Sequence, residues 1–483
     1  MHPLARPLLL AVALTACNGE ASLDAAPPDA HPTDAPTDAP TDAPSEVATD
    51  APAEPPLLDL RFDGGFVRRA FPRADGGFVV LVEPPMALHV DQGLPRREVR
   101  WIGPDGREDR SRRTPKAGEQ LLDAAVHPSG AVSILFASDA GYRVVRIARD
   151  GFEWSHAVVD PAVATDPPTL PPGAASGPIE TNSHDTGRVA VHGEDLVLAA
   201  RTARHSVIVY WLRPAAGPEL RIVHRALAFP AASMTPIGLT GGSFDTFGQV
   251  NAQYAVHLDV DPGGRVYVGV RYPDMSHNRF PTVLTKIFGE PIVGDADGLD
   301  SYVARLAPDG ARLGTSVITT DKPDEIYGLR ADADGAWVLG RNEVWSASGN
   351  GHDALVARVT PAGKVTVRDF HVADGDIAFD AAPAADGGVI VVGASGYFQN
   401  PSGASISEAS SVFARWLRAD GSSVDLSVPV APRHNEGRFV RWAGDRLLVG
   451  GMLDGPGTHS ADGDPSLLRA RGFLRQVVVP GRP

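Results

Sequence analysis

Cysteine is almost missing from this chain. Cys17 is the single one in 483 residues, so no disulfide can form within it and stability has to come from buried apolar area. Lysine is nearly as scarce, confined to Lys116, Lys286, Lys322 and Lys364, and arginine carries the remaining basic charge. The net charge is −15, and it is unevenly spread. Residues 18–56 hold nine acidic and no basic groups, leaving 43 basic and 50 acidic in residues 57–483. Neither part offers the dense basic stripe that a phosphate backbone attracts, which argues against a nucleic-acid partner. No stretch beyond the first twenty residues is apolar for eighteen in a row, so no second membrane anchor is expected. His-Glu-x-x-His and Gly-x-Ser-x-Gly are both absent, which removes the commonest zinc-protease and serine-hydrolase signatures. Gly349–Ala354 has glycines spaced like a dinucleotide fingerprint, but no helical pattern follows, so it reads as a loop.

What is present begins with Arg6, the apolar run Pro7–Leu14 and the tetrad Leu14-Thr15-Ala16-Cys17. That run is too short to span a bilayer and reads as a cleavable export signal. The tetrad closely resembles a bacterial lipoprotein signal, with Leu three positions before the cut and Cys just after it. The resemblance implies that residues 1–16 are removed, that Cys17 is lipidated, and that the membrane is a partner through it. An outer-membrane, cell-envelope location follows, with the periplasmic or surface face left open. Residues 17–56 then form a tether. Thr-Asp-Ala-Pro recurs at Thr33–Pro36, Thr37–Pro40 and Thr41–Pro44. Proline at every fourth position blocks helix and sheet bonding while the acids repel, giving an extended, disordered stalk.

From Leu57 onward one unit repeats. A turn ending in Gly precedes an apolar, β-rich run seven times, at Gly76, Gly130, Gly193, Gly263, Gly335, Gly387 and Gly444. The spacing averages about 61 residues, and seven such periods fill 57–483. A second element follows most of these: Val144–Ile147 before Gly151, Val303–Leu306 before Gly310, Val356–Val359 before Gly363, and Phe413–Trp416 before Gly421. Runs such as Val389–Val392 are apolar on consecutive residues, as in strands buried on both faces. Four-stranded antiparallel sheets packed between like sheets make propeller blades. The fold class expected is therefore all-β, one seven-bladed propeller over 57–483. Leu57–Phe62 sits where a preceding blade's fourth strand would end, so it is expected to complete the last blade and close the ring, with Phe473–Val479 competing for that edge.

Asp300–Leu306 and His352–Val359 resemble the second half of bacterial surface β-propeller repeats of the SBBP type, most clearly in blades four to six. That resemblance implies a propeller and a surface location, and no enzymatic activity.

Three features are candidates for chemistry. Asp295, Asp297 and Asp300 bracket a Gly turn and form a candidate Ca2+ loop of clustered hard oxygens, although the distal Glu and flanking helices of an EF-hand are missing. Polar residues recur where the innermost strands should start: Gln120, Asp185, Gln253, Glu325, Asp376 and Glu436. Crowded round one channel mouth, these could hold a cation or polar ligand. His184-Asp185 and His434-Asn435-Glu436 offer acid–base groups if the mouth gathers them. The long segment Tyr272–Asp300, with Phe280, Val283, Leu284, Ile287 and Phe288, is expected to fold onto the body or meet a partner.

The sequence thus points first to a membrane-anchored lipoprotein whose propeller binds a protein or glycan through its loop-rich face, with no cofactor required and with catalysis disfavoured. The alternative is a metal-dependent propeller lyase or hydrolase acting on sugars or lactones at the channel mouth. Catalytic residues and oligomeric state are not legible. Deleting Ala25–Pro56 should leave the melting temperature of the chain within about 1 °C, because an acidic Pro-rich segment has little apolar area to bury; calorimetry of the two lengths checks this.

Overall fold

The computed structural model describes residues 58–63, 65–83, 97–138, 141–149, 151–158, 186–201, 207–215, 220–229, 255–271, 288–289, 301–320, 324–343, 352–372, 375–396, 410–455 and 471–480. Among them, 28 strands form seven four-stranded antiparallel sheets. After β1 (Asp59–Asp63), blade one is β2 (Phe66–Pro72), β3 (Phe78–Glu83), β4 (Glu98–Ile102) and β5 (Glu108–Arg113). Blade two is β6 (Gln120–Val126), β7 (Val132–Ser138), β8 (Gly141–Ile147) and β9 (Glu153–Val158). Blade three is β10 (Gly187–His192), β11 (Asp195–Arg201), β12 (Val207–Pro214) and β13 (Leu220–Phe229). Blade four is β14 (His257–Val260), β15 (Val266–Arg271), β16 (Ser301–Leu306) and β17 (Arg312–Ile318). Blade five is β18 (Asp324–Asp332), β19 (Gly335–Glu343), β20 (His352–Val359) and β21 (Val365–Phe370). Blade six is β22 (Ile377–Pro383), β23 (Val389–Ser395), β24 (Ser411–Leu417) and β25 (Ser423–Asp425). Blade seven is β26 (His434–Ala443), β27 (Arg446–Gly455) and β28 (Arg471–Val477), completed by β1.

The consecutive apolar residues of the second strands have a direct packing reason. In β3, Val79 and Leu81 join a cluster with Leu121 and Ile134 of blade two, while Val80 and Val82 join Phe439 and Leu448 of blade seven. Each boundary between neighbouring blades has a cluster of this kind. Alternate side chains of one strand therefore serve two interfaces, and no solvent-facing side is left to be polar. Phe288, from the long segment after Tyr272, packs against the clusters on either side of blade three, with the Arg312 guanidinium 3.7 Å from its ring centroid. Apart from Gly289, the rest of that segment lies outside the described residues, as do residues 1–57 with Cys17.

Turn chemistry matches the repeat. The amide of Gly76 bonds the carbonyl of Arg73, and that of Gly130 the carbonyl of His127, each with φ above +80°. Only Gly takes that conformation without strain. The short turns lie at the face where innermost strands end, and the long connections lie at the face where they begin.

The ring closes as the first strand suggests. β1 pairs antiparallel with β28, from Asp59 opposite Arg475 to Asp63 opposite Arg471. The two segments competing for that edge both belong to blade seven, β28 as its third strand and β1 as its fourth. Phe62, 4% exposed, packs with Val67 and Leu474. Starting the chain at Phe66 instead of Leu57 should expose the β28 edge, lower the melting temperature and promote aggregation. Phe62→Ala alone should cost about 3 kcal/mol, measured by urea unfolding. Equal melting of the two truncations would disprove closure by β1.

Candidate functional site

At the long-connection face, blades six and seven meet around His434, the first residue of β26. Asn435 builds the corner that holds it. Its side-chain amide donates to the carbonyls of Ser410 (3.0 Å), Ala431 (2.8 Å) and Arg433 (2.6 Å), and its carbonyl oxygen accepts the Asp454 amide at 3.2 Å. Asp454 takes φ +52°, a left-handed backbone unusual for a residue with a side chain. The imidazole of His434 is engaged on both nitrogens. Nε2 lies 2.5 Å from Glu436 Oε1, and Nδ1 lies 2.6 Å from Ser410 Oγ. All three side chains are buried.

Burial alone would raise the Glu436 carboxyl, but Arg438 and His434 beside it bring it down to about 2. Glu436 is therefore ionised at neutral pH, and Nε2 carries the hydrogen it donates. Nδ1 faces a hydroxyl with two acceptors in reach, itself and the Asn435 carbonyl at 2.8 Å. The Ser410 proton can point toward Nδ1 or toward the Asn435 carbonyl. Carboxylate, imidazole and hydroxyl in series form a proton-transfer chain.

Beside this chain runs an aromatic wall. Arg438 pairs with Glu436 and lies 3.8 Å from the ring centroid of Phe379 and 5.4 Å from that of Phe66. Phe379 in turn meets Tyr327 edge-on at 5.6 Å. Tyr327, Phe379 and Arg438 each occupy the extra position of a β-bulge in an innermost strand. Bulges re-aim side chains at barrel rims and active sites, and these three lie on neighbouring blades.

Of the six polar residues expected at the mouth, four fall among the described residues. Gln120 opens β6 and is buried. Glu325 lies second in β18 and accepts from Arg341 (2.5 Å) and the Tyr327 hydroxyl (2.7 Å). Asp376 precedes β22, accepts the Val372 amide at 2.5 Å and lies 3.8 Å from His371. Glu436 belongs to the His434 chain. Asp185 and Gln253 lie outside the described residues, and so do Asp295, Asp297 and Asp300 of the candidate Ca2+ loop and His184. Among the described residues, no group of three or more His, Cys, Asp and Glu is placed to hold a metal ion. Ser410 was not anticipated. It stands 24 residues before His434, on another blade, and no local spacing announces it.

No protein-family profile matches the sequence, and no curated protein does. Solved structures of similar fold include a catalytically inactive histidine-to-alanine variant of virginiamycin B lyase from Staphylococcus aureus, at 10% identity and TM-score 0.44, covering 88% of this chain and all of that one. The β-propeller domain of the trilobed protease from Pyrococcus furiosus matches at 6% identity and TM-score 0.39, over 81% of this chain and 90% of that one. A prolyl endopeptidase matches at 12% identity and TM-score 0.40 over 87% of this chain, which spans only 51% of that protein. At such identities the likeness concerns the fold.

The ordering of the two functional readings is corrected by these results. A membrane-anchored, palmitate-bearing lipoprotein that binds a protein or glycan through its loops stood first, and catalysis was disfavoured. The propellers of similar fold include a lyase and peptidases. The polar cluster around His434 at the mouth is an acid–base chain. The catalytic alternative takes first place.

The Glu436 carboxyl fixes a pH dependence. Its folded value is depressed below the usual 4.5 to about 2, so its contribution to stability is fully present above about pH 4.5 and is lost as pH falls through 2. Glu436→Gln should flatten the acid limb of the stability curve between those values, measured by urea unfolding from pH 2 to 6.

Proposed function

We propose that the chain is a propeller enzyme of the hydrolase or lyase class, with its acid–base centre at His434 on the long-connection mouth of the channel. The observation that carries the proposal is the engagement of both imidazole nitrogens, one by an ionised carboxylate and the other by a serine hydroxyl. The ring holds its Nε2 hydrogen on Glu436, which leaves Nδ1 as the base facing Ser410. In an ester or lactone reaction Ser410 Oγ attacks the carbonyl carbon while Nδ1 takes the hydroxyl proton. Nδ1 then returns that proton to the departing alkoxide, and water releases the acyl group by the same route. Phe379 and Phe66 supply apolar faces for the acyl body, and Arg438, paired with Glu436, keeps that carboxylate ionised behind the imidazole. With both nitrogens committed, His434 acts here as a proton carrier rather than as a metal ligand.

A fluorophosphonate reports an activated serine without knowledge of the substrate. Incubation with the full chain should give a covalent adduct mapped by mass spectrometry to Ser410. It should vanish in Ser410→Ala and form roughly 100-fold or more slowly in His434→Gln. An unlabelled, folded protein, or labelling indifferent to His434→Gln, would reject the proposal. Ser410→Ala would then be expected only to lower the melting temperature, through loss of its bond to the Asn435 carbonyl.

A further inference from the structure

The opposite mouth of the channel, at the short-turn face, contains a cavity of about 490 Å3. Arg69, Arg330 and Arg441 line it together with Asp259, Phe71 and Leu258. Two of the three guanidiniums are matched. Arg69 Nη1 donates to Asp123 at 2.9 Å. Arg330 makes a bidentate pair with Asp380, at 2.7 and 2.9 Å, and lies 4.0 Å from Asp259. Burial opposes the Arg330 charge, yet Asp380 and Asp259 hold its pKa above the ordinary value. Arg441 has no hydrogen bond or ion pair among the described residues, and its guanidinium lies over the Phe71 ring at 5.2 Å.

Strand register explains the mismatch. Arg330 and Arg441 stand at equivalent places, opposite Trp337 and Leu448, each two positions in from the turn. On the following blade, Arg330 meets Asp380, which stands opposite Val392. The blade following Arg441 is blade one, and the equivalent position there, opposite Leu81, is Arg69. Arg441 thus meets a cation where Arg330 meets a carboxylate. Burial and the nearby Arg330 push its pKa down to about 10 against the partial support of the Asp259 and Asp380 charges, and it stays charged at neutral pH.

We propose that Arg441, with Arg69 and Arg330 around it, binds the carboxylate of a small organic monoacid whose apolar body lies against Phe71 and Leu258. The guanidinium fork matches a planar carboxylate, which supplies the charge that the register withholds. Asp259, which lines the same cavity, repels a second negative charge and selects against phosphate and dicarboxylates. The cavity is far larger than a lone ion requires, and Phe71 and Leu258 on its mixed wall suit a ring or short alkyl chain. This site is separated from His434 by the length of β26, roughly 20 Å at the rise of a strand, so the two proposals fail independently.

Benzoate is the probe, with inorganic phosphate and benzamide as the dianionic and neutral controls. Thermal denaturation and titration calorimetry of the full chain should show a saturable stabilisation by benzoate alone. Arg441→Met should abolish that stabilisation, while its own melting temperature stays at or above that of the unaltered chain, because it removes a half-buried cation that has no hydrogen bond or ion pair among the described residues. Arg441→Lys should weaken benzoate at least about tenfold, since it keeps the charge and loses the fork. Equal stabilisation by phosphate or benzamide, or benzoate binding undiminished in Arg441→Met, would overturn the proposal. So would an Arg441→Met protein melting far below the unaltered one, since the guanidinium would then be a structural cation. Benzoate binding that persists in Ser410→Ala is expected, and its loss there would overturn the separation of the two sites.

Discussion

Three carboxylates, Asp123 and Asp380 buried and Asp259 half-buried, tie each innermost strand they stand on to the next blade. Asp123 accepts the Val189 amide at 3.1 Å, Asp259 the Ala331 amide at 3.0 Å and Asp380 the Val440 amide at 2.9 Å. The apolar clusters between blades supply most of the burial, but apolar contact is non-directional and would tolerate wedges sliding past one another. A directional bond at the channel fixes where each strand stands relative to the next. An ionised group buried there cannot be left alone, so the staples call for cations: Arg69 at Asp123, and Arg330 between Asp259 and Asp380. The charge pattern of the channel is thus a consequence of holding the blades in register, and the unmatched Arg441 is where that pattern meets ring closure.

The same strand, β26, carries both candidate sites because it combines a strand start fixed by Asn435 with an end lodged among the channel charges. Its bulge at Arg438 lies between them. In the second strands of blades five and six a glycine lies across from the bulged segment, where a Cβ would come within 1.7 Å of the Glu325 carbonyl oxygen at Gly340 and within 1.9 Å of the Ile377 oxygen at Gly393. No side chain fits under a bulge that close. The glycines that end the apolar runs are therefore tied to the bulges that aim Tyr327 and Phe379.

This coupling explains what could be read in advance. The turn glycines and the paired apolar faces are demanded by backbone geometry within one blade, so they recur in the sequence and show the sheet order and blade number. Arginines in the third strands, conspicuous in the repeat, prove cohesive: Arg146 pairs with Glu194 of the next blade, Arg305 donates to the Pro361 carbonyl at 2.6 Å, and Arg358 pairs with Asp332. Polar residues at the strand starts were legible as a class, and Glu436 among them does reach a chemically capable partner. Its companion Ser410 was not, because the contact joins the start of one blade's third strand to the start of the next blade's first.

The distinction between a structural and a spare guanidinium is hidden for a deeper reason. Arg330 and Arg441 occupy the same position of the same repeat, and nothing in either blade separates them. What separates them is the residue at one register position of the following blade. For Arg330 that residue is Asp380, 50 positions ahead in the chain. For Arg441 it is Arg69, reached only because β1 closes the ring and makes the first blade the neighbour of the last. A repeat read along the chain treats the seven blades as equivalent, whereas a closed ring has one junction where late residues face early ones. At that junction the alternation of charge breaks, and among the described residues the channel gains a cation with no carboxylate in direct contact.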